Sequence, residues 1–302
     1  MSHSSTPRQA LKKSVNCLLS ASLSGATKQA YRRSWQHFKK YLAEFKIEFK
    51  FPISELILSE FIAYLYDKGY APNTIISTVS ALSFVHKLLK RNDPADSYVI
   101  KKMLQGCKKI RITKDCRLPM TPLILKNIIM ASAETINCIF TRTCFRAMCS
   151  LAFYALLRVG EMTDSDNNLL RQNVQVQGQK VYIQFSSYKH SDGILSRHTV
   201  MKQPSMLICP VKNMSDYLQI RGSKQGPLFI STSGEPVQQR TFNAQLKVAL
   251  EFAGYSAERY KSHSFRIGGA SLMAAQGASI TQIQQAGRWK TYAFLSYIRI
   301  NQ

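Results

Sequence analysis

Carboxylates are scarce in this chain. Its 302 residues hold 17 Asp and Glu against 41 Lys and Arg, a formal net charge of +24. The shortage is not a basic tail on a neutral protein. Residues 1–120 carry 21 basic against 8 acidic residues (+13), and residues 121–302 carry 20 against 9 (+11). Charge of this size and spread points to a polyanionic partner met by both halves. Long apolar runs are also missing. None approaches the ~20 residues of a spanning helix, and the N-terminus lacks the apolar core of a signal peptide. The seven Cys (17, 107, 116, 138, 144, 149 and 209) form no Cys-x-x-Cys pair. Their odd number and their place in apolar stretches exclude a disulfide framework. They imply reduced, mostly buried thiols in an intracellular protein, in the nucleus of a eukaryote or the cytoplasm and nucleoid of a bacterium. The six His do not cluster with Cys or carboxylates at ligand spacing, which argues against a structural zinc or a metal-dependent nuclease.

The apolar fraction of 45% is ordinary, and the length suffices for two domains with real cores. Residues 1–20 are Ser-rich and basic and read as a flexible leader. Thr27 is placed to cap a helix whose single apolar face is Tyr31, Trp35, Phe38, Leu42 and Phe45. Leu58, Phe61, Ile62 and Leu65 mark a second helix, stopped by Gly69. Pro72-Asn73 opens a third, and Val99, Met103 and Leu104 a fourth, ending near Lys109. The domain is therefore helical over 21–110. Residues 111–121 read as a linker ending in Thr121-Pro122, a good helix start, and 122–302 as a second domain. There, after two helices, the period changes. Val174, Val176, Val181, Ile183 and Phe185 alternate around Gln177-Gly178-Gln179, a hairpin signal, and His198-Thr199-Val200-Met201 can add a strand. From Pro210 the pattern is helical again, at roughly 211–221, 238–253, 264–276, 280–286 and 292–300.

Chemistry concentrates in a few short motifs. Arg158 stands in Leu157-Arg158-Val159-Gly160-Glu161, just past an apolar run where an unpaired guanidinium is costly; Glu161 can orient it. His263 and Arg266 are three apart and share a helix face. Gly268-Gly269 behind them would let a phosphate reach the free N–H groups of that helix's first turn. Lys189 lies on the turn Lys189-His190-Ser191-Asp192-Gly193, where an ammonium can protonate a leaving alkoxide; His190 competes for that role. Trp289 offers an indole N–H. Tyr297 is the candidate nucleophile, needing nearby cations or a base to lower its ordinary pKa near 10; Tyr292 is its rival. Two guanidinium groups can carry the charge that builds on a phosphodiester under attack without a metal ion. Each motif alone is common, and Gly277 with the short helix after it also allows a DNA-binding helix-turn-helix over 264–286 as the lesser reading.

The order His263-Ser264-Phe265-Arg266, Gly287-Arg288-Trp289, Ser296-Tyr297-Ile298-Arg299 resembles the tyrosine recombinase (phage integrase) family over most of the chain. The Gly-Arg-Trp…Ala-Phe-Leu-Ser-Tyr-Ile-Arg run is most similar to Crypton- and DIRS-type recombinases of eukaryotic mobile elements. The resemblance implies a mainly α, two-domain protein: a SAM-like core-binding domain, then an α+β catalytic domain with a small antiparallel sheet, the DNA breaking–rejoining fold. It further implies a clamp around double-stranded DNA, a homo-tetramer at synapsis, and a 3′-phosphotyrosine on Tyr297, with no cofactor. Arg158 and Arg266 would hold the phosphate and Lys189 would be the leaving-group acid. His263 would assist proton transfer, Trp289 would fill a position that is His or Trp across the family, and Glu161 would support. Lys39, Lys40, Lys87, Lys101, Lys102, Lys108, Lys109 and Arg111 are candidates for DNA contact. Only five residues follow Tyr297, where many relatives carry a further helix that docks on a neighbouring protomer. That departure predicts a truncated chain or another contact. Type IB topoisomerase-like relaxation and a domesticated, non-catalytic DNA-binding role are the alternatives.

Overall fold

The computed structural model describes residues 7–112, 116–185 and 196–299. The chain divides into two compact units, Met1–Asp115 and Cys116–Gln302.

The first unit is helical throughout its described residues: α1 (Pro7–Ala21), α2 (Gly25–Glu44), α3 (Glu55–Asp67), α4 (Pro72–Leu88) and α5 (Tyr98–Ile110). Of residues 1–20, expected as a flexible leader, those from Pro7 onward form the helix α1 instead. Leu11, Val15, Leu18 and Leu19 fall at helical spacing along it, yet all four side chains are exposed. The Ser-rich composition concealed this short stripe. The cap of α2 also differs from expectation. Ser24 accepts from the Thr27 N–H, so the helix begins a turn earlier than a Thr27 cap would give. The core is built as the apolar spacing predicts, around Phe38, Leu58, Phe61, Ile62, Leu65, Ile75, Val79, Leu82 and Ile100. Phe38 and Phe61 meet edge to face at 5.1 Å, a favoured aromatic geometry.

In the second unit, α6 (Pro122–Thr135) and α7 (Ile139–Tyr154) pack with α9 (Pro210–Arg221), α10 (Gln239–Phe252) and α11 (Ser262–Ala275) around one core. Thr121 caps α6 by accepting from the Ile124 N–H, satisfying one of the helix's open donors. Strands β1 (Val174–Gln177), β2 (Lys180–Phe185) and β3 (Ser196–Met201) form an antiparallel sheet in that order. Register pairs Ile183 with both Val174 and His198. The inward residues Val174, Val181, Ile183, Phe185 and Val200 are buried. Residues 118–120 were read as linker but belong to this unit: Leu118 and Met120 donate to the Arg259 and Ser264 carbonyls at 2.8 and 3.0 Å. Burial pushes the Cys144 thiol up to about 12 and Cys149 well above its usual range. All seven Cys are free.

Two helix ends in this unit bring arginines to one place. At the end of α7, Leu156 takes the left-handed conformation (φ 50°), and Leu157 donates back to the Ala152 carbonyl at 3.1 Å. That is the helix-ending turn usually given to glycine. It aims the Leu156 carbonyl inward and starts the short helix α8 (Val159–Met162) with Arg158 as its cap. At the other edge, α12 (Ile280–Gly287) ends in the same way, with Arg288 left-handed at φ 53° and Trp289 donating to Gln284 at 3.1 Å. The helical pattern expected at roughly 292–300 is a 3-10 helix over Tyr292–Tyr297.

Candidate active site

Glu161 is the hub of the site. Its Oε2 accepts from the Arg158 backbone N–H at 2.8 Å and from Arg288 Nη2 at 2.9 Å; its Oε1 accepts from Arg158 Nη1 at 3.2 Å. One buried carboxylate thus orients the Arg158 guanidinium and neutralises part of the charge on Arg288. Arg158 keeps a quarter of its side chain exposed, whereas Glu161 and Arg288 are almost wholly enclosed at 3% and 2%.

Arg266 sits deepest, only 1% exposed. Its two terminal nitrogens donate to the carbonyls of Leu156 and Gly287, and the Trp289 ring covers it at 4.2 Å. Burial, then the nearby Arg158 and Arg288, push its pKa down to about 9, against opposing pulls from Glu161 and Tyr297. Among the described residues, three guanidinium groups surround one carboxylate, an excess of positive charge that a bound anion would relieve.

Tyr297 lies against this cluster. Its ring meets His263 edge-on at 4.9 Å and Trp289 at 5.7 Å. Ser271 ties the backbone there to α11: its hydroxyl accepts from the Arg299 N–H at 3.0 Å, and its one proton is shared between the Ile267 carbonyl at 2.9 Å and the Tyr297 carbonyl at 3.1 Å. Phe294, Ile283 and Ala270 form a small core beneath it. Tyr292 is elsewhere: two thirds exposed, with only Phe294, at 6.4 Å, as an aromatic neighbour among the described residues.

Arg158, Glu161, His263, Arg266, Trp289 and Tyr297 are therefore brought together. Lys189, with its rival His190, lies outside the described residues. The glycines behind Arg266 act differently from expectation. A Cβ on Gly268 would stand 1.8 Å from the Met120 carbonyl oxygen, and one on Gly269 would stand 2.3 Å from the Phe153 oxygen. They let α11 press against its neighbours and open no path for a phosphate. The helix-turn-helix reading also loses support, because the first half of α11 is buried and α12 carries no Lys or Arg.

Sequence reasoning missed two members. Arg288 was noticed only as the middle of Gly-Arg-Trp. The available signal was a count of charges: a lone acid among several motif arginines invites more than one partner. His198 on β3 is held neutral, its pKa pushed down to about 4 by burial and then by Arg288, with Glu161 opposing. Its sequence neighbours read only as a strand.

Among the DNA-contact candidates, two are held within the first unit. Arg111 donates to the Tyr70 and Tyr66 carbonyls at 2.9 and 3.2 Å and stacks on the Tyr66 ring. Lys87 is paired with Asp93 and Asp96 at 3.2 and 3.5 Å. Lys101 lies 4.0 Å from Asp96 and Lys102 sits over the Tyr98 ring. Lys39, Lys40, Lys108 and Lys109 are exposed.

The phage integrase family model matches residues 125–299, more than half of the chain and the whole of the cluster. The chain belongs to the phage integrase family. A second model, the phage integrase SAM-like domain, matches residues 11–93. Solved structures agree on the fold. A lambda integrase dimer bound to a COC′ core site shares 17% identity at TM-score 0.63, covering 97% of this chain and 95% of that one. A lambda integrase tetramer bound to a Holliday junction matches at 18% and 0.60, covering 98% and 78%. The Tn1549 transposon integrase with transposon right end DNA matches at 11% and 0.59, covering 93% and 96%. Among curated proteins, none matches this chain. Among the described residues no helix is long and apolar enough to cross a membrane.

Proposed function

We propose that this family member is a site-specific recombinase that cuts and rejoins duplex DNA through a 3′-phosphotyrosine on Tyr297. One observation carries the reading: Tyr297 is packed against His263 and Trp289 beside the Arg158–Glu161–Arg266 cluster, while Tyr292 stands apart. The phenolic oxygen attacks phosphorus, the bond to the 5′ oxygen breaks, and the phenolic proton passes to a base, a role assigned to His263, whose ring meets that of Tyr297 at 4.9 Å. The departing 5′ oxygen takes up a proton and leaves as a hydroxyl. Attack by a 5′-hydroxyl of a second duplex reverses these steps and regenerates the tyrosine. Charge on the phosphorane is held by guanidinium groups preorganised in a water-poor site. Arg158 is the cation a phosphate meets first. Arg266, with both terminal nitrogens on carbonyls and Trp289 over its face, is held in place behind it. Lys189 as acid for the leaving oxygen rests on motif similarity, as does assembly into a tetramer on DNA.

Nicked duplexes of random sequence test this reading, because loss of the short cleaved strand traps the covalent complex. The wild-type protein should yield a detergent-stable adduct, and sequencing the joined DNA identifies the target. Tyr297→Phe should bind DNA normally and form none. An adduct retained in Tyr297→Phe and lost in Tyr292→Phe would reverse the assignment. Joining of two duplexes, against relaxation of a supercoiled circle, separates recombination from topoisomerase-like activity.

A further inference from the structure

Arg288 occupies a place where an arginine is unfavourable twice over. It closes α12 in the left-handed conformation, φ 53° and ψ 46°, which L side chains rarely adopt and which glycine usually supplies. Its side chain then turns inward and is enclosed to 2% exposure. There it adds a third cation beside Glu161, the single carboxylate of the cluster among the described residues, and depresses the pKa of Arg266. Where stability alone is at stake, an apolar side chain of similar volume commonly serves as well as a buried ion pair. The residue is therefore to be explained by what it holds.

What it holds is the joint between the two motifs. Nη2 donates to Glu161 Oε2 at 2.9 Å and to the Leu156 carbonyl at 3.3 Å; Nη1 donates to Ala155 at 3.3 Å and to Ala286 at 3.1 Å. The guanidinium lies over the Phe185 ring of β2 at 4.0 Å. The end of α7, the Arg158 cap of α8, the sheet and the end of α12 thus meet on one planar group. The Leu156 carbonyl is shared with Arg266, whose other carbonyl partner, Gly287, precedes Arg288 in the chain. A Cβ on Gly287 would collide with the Trp289 ring at 1.6 Å, so the same turn also sets the cover over Arg266.

We propose that Arg288 is a positioning residue: it locks the Arg158–Glu161 turn to the segment bearing Trp289 and Tyr297, fixing both phosphate-binding arginines without touching the phosphate. This rests on the strand-transfer reading above. Lysine keeps the charge of Arg288 but cannot reach four acceptors in one plane. In the full-length protein, Arg288→Lys should melt close to wild type and half-saturate with the random-sequence duplex within about twofold. Its adduct rate at saturation should fall about thirtyfold. Adding Glu161→Gln should cost less than it does in wild type, since both residues act through one network. A merely structural role predicts wild-type rate at any temperature where the variant is folded, and that result, in Arg288→Lys or in a folded Arg288→Met, would overturn the proposal. A second readout needs no strand transfer. With Trp35→Phe, Trp289 is the one indole left of the two, and its fluorescence reports inorganic phosphate reaching Arg266. The Arg288→Lys variant should bind phosphate about tenfold more weakly; unchanged affinity contradicts positioning. Should wild type form no adduct while phosphate affinity still falls in Arg288→Lys, the strand-transfer reading fails and the positioning role stands.

Discussion

The two units carry similar excess charge and treat it in opposite ways. In the first unit the interior is aromatic and aliphatic, and lysines such as Lys39, Lys40, Lys108 and Lys109 stay at the surface. In the second unit, Arg266 and Arg288 are buried and Arg158 is three-quarters enclosed, all three around Glu161. A solvated lysine costs little to keep and attracts any polyanion, with a strength set by salt. A buried guanidinium is strongly unfavourable unless its geometry serves a purpose. Net charge points to a polyanionic partner; on the function proposed above, the disposition of the charge separates holding from chemistry.

The largest expected effect lies on the buried side. Arg158→Ala and Arg266→Ala should each slow adduct formation about 10²-fold or more, the usual consequence of removing a preorganised donor worth roughly 3 kcal/mol. Lysine should rescue poorly at either position, since a point charge lacks the planar fork. Single-turnover rates on nicked duplex read this directly, and near-wild-type cleavage by either Lys variant would remove the clamp role.

A smaller effect belongs to His198. Its folded pKa of about 4 lies below the ordinary 6.5, so the unfolded chain binds the proton more readily. The stability it contributes is full above about pH 6.5 and lost as pH falls toward 4, up to about 3 kcal/mol across that window. Melting of wild type against His198→Gln should show the acid decline flattened in the variant. An identical pH dependence would mean that His198 is solvated and not part of the wall facing Arg288.

Ser271→Ala should have the mildest consequence. It removes the hydroxyl between the Tyr297 carbonyl and the Arg299 N–H, a loss of about 1 kcal/mol, and should lower the adduct rate a few-fold with little change in melting temperature. A drop as large as that of Arg266→Ala would show that the hydroxyl takes part in more than anchoring the segment.

How far the sequence reveals all this depends on whether a signal is local. Helix starts at Pro72 and at Thr121-Pro122, the hairpin around Gly178, and the cores from Phe38 to Ile100 and from Leu125 to Phe265 are legible because spacing and turn chemistry lie within a few residues. The motifs around Arg158, Arg266 and Tyr297 are legible through their order. Long-range geometry is not. Gly268 and Gly269 look like an anion cradle until Met120 and Phe153 are seen against them. Arg288 looks like a surface residue at a helix end until Glu161, 127 positions earlier, is found beside it. For α1 the failure is the reverse: its Leu and Val spacing is helical, but a Ser-rich, basic setting with no packing partner for the stripe reads as unstructured.

One paired measurement tests the contrast between surface and buried charge most directly. The quadruple replacement of Lys39, Lys40, Lys108 and Lys109 by Gln, and the single Arg266→Gln, are compared on the same nicked duplex for affinity, its salt dependence, and adduct rate at saturation. The account predicts a crossed outcome. The lysine variant should bind more weakly with a shallower salt slope, by roughly 0.9 for each phosphate no longer neutralised, and react at the wild-type rate once saturated. Arg266→Gln should bind with nearly unchanged affinity and slope, and react about 10²-fold more slowly. A reduced saturated rate in the lysine variant, or a fall in affinity alone in Arg266→Gln, would contradict the division between surface grip and buried chemistry.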